Sequence, residues 1–235
     1  MLARKLHIVP SMVDAGGHLK LVNFFLLFQD VANENAESIG AGKDATLDKG
    51  IDWVITRISL DIKRMPSIGE DVEIFTYPHG VKAGCIYFRV GGLKDKDGNI
   101  IILLNSMWSL IDNKSRKLIL RPSIPGVLEE YNHELREPIK VPNEESKELF
   151  RKVIRYSDCD MNGHMNNTRY IEAITDTKTI EFYKHNYVSK LDLNFINEVY
   201  DGESLIVNVS KDETYVEGKK GESISFLAKL EYKSY

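Results

Sequence analysis

Hydrophobic and polar positions along the chain change period several times, and each change marks an element. Lys5 to Met12 reads as a first strand ending in the polar, glycine-rich turn Asp14-Ala15-Gly16-Gly17-His18. Leu19 to about Ala32 follows with Leu19, Leu21, Val22, Phe24, Phe25, Leu26, Leu27 and Phe28, apolar on almost every side of a helix. Such a helix suits enclosure by a sheet rather than a place on a surface. Trp53 to Ile62 then alternates, with Val54, Thr56, Ile58, Leu60 and Ile62 on one side and Arg57, Ser59 and Asp61 on the other. Period two is a strand signal. Pro66 to Gly69 turns the chain into Asp71 to Tyr77, and Lys82 to Leu93 and Ile100 to Asp112 are further strands joined at Asp95-Lys96-Asp97-Gly98-Asn99. The expected unit is strand, helix, then a four-strand antiparallel meander: one helix wrapped by one curved sheet.

Residues 113 to 147 break this pattern with Pro122, Pro125, Pro138 and Pro142 among glutamates, and read as a linker that packs only locally. Beyond it the pattern resumes. A strand near Glu148 to Tyr156 leads into a polar loop, a helix from about Asn167 to His185, and strands at Leu191 to Ile196, Ser204 to Asp212, Thr214 to Lys219 and Ser223 to Lys233. The expected division is therefore 1–112, a linker at 113–147, and 148–235.

The two halves are copies. An offset of 146 sets Asp14 on Asp160, Gly16 on Asn162, Gly17 on Gly163, His18 on His164, Ile8 on Ile154, Phe24 on Tyr170, Phe25 on Ile171 and Asp30 on Asp176. Further on, Leu60-Asp61-Ile62 resembles Leu191-Asp192-Leu193, and Gly69-Glu70-Asp71-Val72 resembles Gly202-Glu203-Ser204-Leu205, at offsets of 131 and 133. The differences carry more than the matches. Where the second copy has Asn162, the first has Gly16; where the second has Glu198, the first has Met65 to Ser67 without a carboxylate. That asymmetry is expected if the second copy does the chemistry and the first holds substrate or stabilises the pair, and ordinary drift between copies would also produce it.

Composition narrows the classes. At 235 residues and 26.8 kDa the chain builds one large or two ordinary domains, and 43% hydrophobic residues support a normal core. A formal net charge of −4, with no basic tract, argues against a nucleic-acid binder. Two cysteines, Cys85 and Cys159, suit a reducing compartment. No signal-like apolar segment follows Met1, and no run approaches the ~18 uncharged apolar residues of a membrane span. The expectation is a cytoplasmic protein without stable membrane insertion.

The candidate chemistry sits in Asp158 to Asn167. Asp158, Asp160, Asn162 and Gly163 imitate the start of a calcium loop, but Arg169 stands where the closing bidentate glutamate belongs. Structural roles compete: Asn162 or Asn166 as a helix cap, His164 as a packed histidine. Cys159 beside His164 and Asn162 has the residue types of a Cys-His-Asn acyl transferase, yet alternation directs it away from the side used by Asp158 and Asp160. Metal binding by Asp158, Asp160 and His164 would need His133 or His185 to fold in. Water attack on an acyl carbonyl fits better. Glu198 would take a proton from the water, Asn162 and His164 would orient it or stabilise the developing oxyanion, Asp160 would fix the loop or the imidazole, and the start of the following helix would add positive field.

Asp160-Met161-Asn162-Gly163-His164-Met165-Asn166-Asn167, followed by Tyr170-Ile171-Glu172, resembles the signature of the acyl-acyl-carrier-protein thioesterase family of plants and bacteria. Trp53-Val54-Ile55-Thr56-Arg57, Pro66 and Gly69-Glu70-Asp71-Val72 resemble its first-domain block, so the likeness runs from about residue 4 to the end. It implies an α+β tandem double hotdog, each domain a long helix wrapped by a curved antiparallel sheet. It implies hydrolysis of the thioester of fatty acyl-acyl carrier protein (acyl-ACP) in fatty acid biosynthesis, with Asp160, Asn162, His164 and Glu198 catalytic. No metal or cofactor is expected, phosphopantetheine arriving with the substrate. Plant members often carry a cysteine after the glutamate; Val199 stands there, which rules out that cysteine as nucleophile here. The implied partners are acyl carrier protein and a fatty acyl chain, and a homodimer is allowed. Arg151, Lys152, Arg155, Lys63, Arg64 and Lys82 are candidate contacts for the acidic carrier, and Leu19, Val22, Phe24, Phe25, Trp53 and Ile55 are candidate walls for the acyl chain. An acyl-coenzyme A thioesterase and a non-catalytic acyl-binding module are the alternatives.

Overall fold

The computed structural model describes residues 1–46, 49–120 and 135–235. Its strands are β1 (Leu2–His7), β2 (Ile51–Ile62), β3 (Asp71–Lys82), β4 (Ile86–Lys94), β5 (Ile100–Asp112), β6 (Lys147–Val153), β7 (Asn186–Phe195), β8 (Ser204–Val209), β9 (Tyr215–Lys220) and β10 (Ser223–Ser234). Its helices are α1 (Leu21–Ser38), the short α2 (Lys43–Thr46), α3 (Asn167–Thr175) and α4 (Ile180–His185). All ten strands form one sheet in the order β1-β3-β4-β5-β2-β7-β10-β9-β8-β6, and every pairing is antiparallel.

The expected helix wrapped by sheet is present in both halves. In the first, α1 buries Phe24, Phe25, Phe28 and Val31. Gly91 of β4 makes room for it, since a Cβ there would come within 2.2 Å of the Phe28 ring. In the second, Tyr170 of α3 meets Phe195 and Phe226 edge-on, each at 5.6 Å between ring centres.

The halves join where β2 pairs β7. Leu60 lies opposite Leu191, its own counterpart in the repeat, so the pseudo-twofold axis runs between these two residues. The loops obey the same symmetry. Asp14 N–H donates to the His18 carbonyl at 2.8 Å as Asp160 N–H does to His164 at 3.0 Å, and Leu19 N–H reaches the Pro66 carbonyl at 2.8 Å as Met165 N–H reaches Val199 at 2.8 Å. Gly17 and Gly163 both sit near φ +80°, a region side chains with a Cβ rarely enter.

Three expectations need correction. The strands of a half do not form a simple meander: β2 pairs β5 rather than β3, because the 63–70 connection crosses to the loop before α1, where His18 bridges Ser67. The helix expected over Asn167 to His185 is two helices. Asp176 to Lys178 turn the chain out of α3, and Thr179 starts α4 by accepting the Phe182 N–H at 3.2 Å. The 113–147 segment, in its described part, does not pack only locally. Val141 is buried with Tyr215 and Leu227, and Arg136 bonds Asp61 at 3.0 Å and Asp192 at 2.6 Å, the repeat-related carboxylates flanking the pseudo-axis. Pro122 and Pro125 lie outside the described residues.

Candidate active site

The polar loop of the second half is built by its own backbone. Asp160 Oδ1 accepts the Asn162 N–H at 2.8 Å and the Asp160 carbonyl accepts the Gly163 N–H at 3.0 Å, a tight turn of the kind aspartate favours. Before it, the Asp158 carboxylate accepts the Arg155 N–H at 3.0 Å and pairs with Lys152 at 2.7 Å. Burial raises the Asp158 pKa, but Lys152 and the Arg155 N–H outweigh it and hold the carboxyl below its ordinary value. After the turn, Asn166 caps α3, its Oδ1 accepting the Thr168 N–H at 2.9 Å and the Thr168 hydroxyl at 2.8 Å. Of the two asparagines considered as caps, Asn166 is the cap and Asn162 lines the cleft.

His164 lies between two acceptors. Its Nδ1 is 3.3 Å from the Met165 carbonyl, and its Nε2 is 3.5 Å from Glu198 Oε1. Both neighbours only accept, so either ring nitrogen can donate, and Nε2 is the one turned toward the carboxylate in the cleft. Glu198 is held from three sides: Arg116 Nη2 and His164 at Oε1, and the Tyr200 hydroxyl at Oε2, 2.7 Å away. Donation to Glu198, more than burial, raises the Tyr200 pKa. Arg116 also reaches Asp52 at 3.2 Å, and Lys220 Nζ donates to the Glu198 carbonyl at 3.2 Å.

The structure brings Asp160, Asn162, His164 and Glu198 to one cleft of about 590 Å³. Its apolar wall comes from both halves, with Trp53, Ile55 and Ile111 facing Met165, Tyr170 and Phe195. Trp53 and Ile55 are therefore at the cleft, as expected of acyl-chain walls. Phe24 and Phe25 are core residues, while Leu19 and Val22 border a separate cavity of about 350 Å³ beside Asp14 and Gly16. Cys159 does not line the cleft, and burial first, then Asp201, Asp158 and Asp160, push its thiol pKa up, away from a nucleophilic thiolate.

The basic residues expected to meet a carrier are mostly engaged elsewhere. Arg151 pairs Glu148, Lys152 pairs Asp158, Arg64 pairs Glu70, and Lys82 pairs Glu137. The cations at the cleft are Arg116 and Lys220, which sequence reasoning did not single out. Arg116 lay within the supposed linker, and its approach to Glu198 depends on a turn in which it takes φ +55°. Tyr200 had one legible signal, its place two residues after Glu198. Among the described residues no group of three His, Cys, Asp or Glu side chains is placed to hold a metal ion, and His185 is paired with Glu181. His133 lies outside the described residues.

Comparison with known proteins agrees in both halves. The family model described as acyl-ACP thioesterase N-terminal domain matches residues 2–125, and that described as acyl-ACP thioesterase C-terminal domain matches 141–231. An acyl-[acyl-carrier-protein] hydrolase of Cuphea viscosissima is 26% identical over 191 residues, covering 76% of this chain and 45% of its own. Oleoyl-acyl carrier protein thioesterase 1 of Arabidopsis thaliana is 23% identical over 85% of this chain and 60% of its own. The chain spans less than two thirds of the length of these curated relatives. Among solved structures, an acyl-ACP thioesterase from Bacteroides thetaiotaomicron superposes with a TM-score of 0.88 at 24% identity, covering 99% of this chain and 97% of that one. The 12:0-ACP thioesterase of Umbellularia californica gives 0.82 at 20% identity, covering 100% and 97%.

Proposed function

The chain belongs to the acyl-ACP thioesterase family and has its tandem hotdog fold, and from that premise we propose that it hydrolyses the thioester of a fatty acyl group carried on acyl carrier protein. The observation that carries this reading is the placement of His164 Nε2 against Glu198 Oε1, 3.5 Å apart, in a cleft whose apolar lining comes from both halves. A binding module for aliphatic chains needs the wall but not the pair.

In the proposed reaction a water molecule in the cleft gives a proton to Glu198 as its oxygen attacks the acyl carbonyl carbon. Negative charge gathers on the carbonyl oxygen. The Asn162 side-chain amide, at the lip of the same cleft, supplies a donor for it, and the N-terminal end of α3, where Asn167 lines the cleft, adds positive field. The tetrahedral species collapses by breaking the carbon–sulfur bond, and the departing sulfur takes up the proton that Glu198 received, passed on at His164 Nε2, which returns Glu198 to its carboxylate form. Asp160 acts one step removed, by holding the turn that presents Asn162 and His164.

Glu198 has to be freed before it can accept that proton, because Arg116 and His164 share its Oε1. The phosphate of an incoming phosphopantetheine arm is the natural competitor for Arg116, with Lys220 beside it. Hydrolysis of matched medium- to long-chain acyl groups on acyl carrier protein and on coenzyme A tests the proposal. Preference for the carrier protein supports it, equal or better coenzyme A turnover moves the substrate class, and binding without hydrolysis of either refutes it.

A further inference from the structure

Next to the cleft, across the shared Trp53, the first half holds a part-buried charge that the proposed chemistry does not use. Arg89 of β4 is two residues from Gly91, so it projects from the same face of the sheet, toward α1. Its Nη1 donates to Asn35 Oδ1 at 2.8 Å and to Thr76 Oγ1 at 3.2 Å, and both partners are neutral and buried. Burial pushes the guanidinium pKa down to about 10. A cation drawn partly out of water ordinarily has a carboxylate beside it. Among the described residues Arg89 has no ion pair, and its described bonds use one nitrogen of a fork that carries five N–H donors.

Arg89 borders a cavity of about 80 Å³ lined also by Ala32, Ala36, Trp53, Tyr87 and Trp108. At ~30 Å³ per water-sized group, it admits two or three heavy-atom groups. Trp53 walls both this cavity and the catalytic cleft. Across the sheet, Ile55 at the cleft is opposite Trp108, and Trp108 is opposite Tyr87. From β2 to β4 is two strand spacings, roughly 10 Å.

We propose that Arg89 is the polar end of the acyl channel and that it selects acyl chains bearing a hydrogen-bond-accepting oxygen, such as a hydroxyl, near the end distant from the thioester. The proposal rests on the thioesterase reading of the cleft. An unsubstituted chain pushed to this depth sets a methyl group against a guanidinium and displaces nothing the cation needs. A terminal oxygen supplies the acceptor that Asn35 and Thr76 leave unfilled.

The test compares unsubstituted and ω-hydroxylated acyl groups of equal length on acyl carrier protein, with wild type, Arg89→Met and Arg89→Gln. Wild type is expected to favour the ω-hydroxylated chain by about tenfold in kcat/KM, as one hydrogen bond to a charged group allows, and both variants to lose that preference. The chain's two tryptophans, Trp53 and Trp108, both line the cavity, so titration of their fluorescence with the free ω-hydroxy fatty acid reports occupancy without turnover. If neither thioester is hydrolysed, the hydrolase reading fails, and the titration still decides this one: binding weakened in the variants supports it, equal binding overturns it. A wild-type preference for the unsubstituted chain, or one unchanged in a folded variant, also overturns it, as does a variant that loses stability alone, which would leave Arg89 only a brace for the end of α1.

Discussion

Arg116, on the turn after β5, donates to Oε1 of Glu198, the oxygen that also faces His164 Nε2. A residue from the first half thereby occupies the acceptor that the proposed water activation in the second half requires. Arg116→Ala is expected to separate the two steps of the cycle. Losing a charged hydrogen bond to the arm's phosphate, about 1.5–3 kcal/mol, raises KM for carrier-bound substrate by about 10- to 100-fold. Turnover at saturation is retained, because Glu198 keeps His164 and Tyr200 as neighbours. Steady-state kinetics check this, and an equal loss in kcat would make Arg116 part of the chemistry instead.

Glu198, Asn162 and Asp160 should respond differently to substitution. Glu198→Gln removes the proton acceptor and is expected to lower kcat by about 10²–10⁴. Asn162→Ala removes a side-chain donor for the oxyanion, a loss of about 10²–10³. Asp160 is the discriminating case. Asp160→Asn keeps an acceptor oxygen for the Asn162 N–H, so it should retain far more activity than Asp160→Ala, which leaves the turn unbraced. Equal loss in both would assign the Asp160 charge a direct part in the reaction.

What the chain revealed in advance is what period and composition encode. The helix enclosed by sheet was visible in the apolar run Leu19 to Phe28, and the pseudo-symmetry in the matched loops around Asp14 and Asp160, which fold into the same hydrogen-bonded turn. Glu198 was found by its absence from the first copy. Strand order was hidden, because alternation along β2 is the same whether its neighbour is β3 or β5. The break between α3 and α4 was hidden because Thr179 is an ordinary helix residue until its hydroxyl is seen at the Phe182 N–H. Arg116, Lys220 and Arg89 were hidden for one reason: a cation's significance is set by what folds against it.

The first half's loop should be structural. His18 stacks on Tyr235 with ring centres 3.8 Å apart, and Gly16 offers no side chain where the second half has Asn162. His18→Ala is therefore expected to cost about 0.5–1.5 kcal/mol of stability, the worth of an aromatic pair, with kcat unchanged. Denaturant unfolding alongside the hydrolysis assay checks both parts. A fall in kcat with stability intact would mean that the 350 Å³ cavity beside Asp14 communicates with the catalytic cleft.

Arg136 gives a pH-dependent prediction. It bonds Asp61 and Asp192, so one guanidinium faces two carboxylates at the junction of the halves. Burial raises the Asp192 pKa above its ordinary value, and Arg136 opposes that rise. A carboxyl whose pKa is higher folded than unfolded favours the fold when protonated; that contribution is complete below the unfolded pKa and is lost as pH rises through the folded one. Arg136→Met removes the opposing cation and raises the folded pKa further. Its destabilisation should then be smaller near pH 4 and grow, as pH rises through the folded pKa of Asp192, to about 1–2 kcal/mol near pH 7, where two carboxylates face each other unneutralised. Denaturant melts of wild type and variant at both pH values measure it. A loss independent of pH would mean that Arg136 acts through its bond to the Leu60 carbonyl and its packing across β2 and β7, with the charge playing no part.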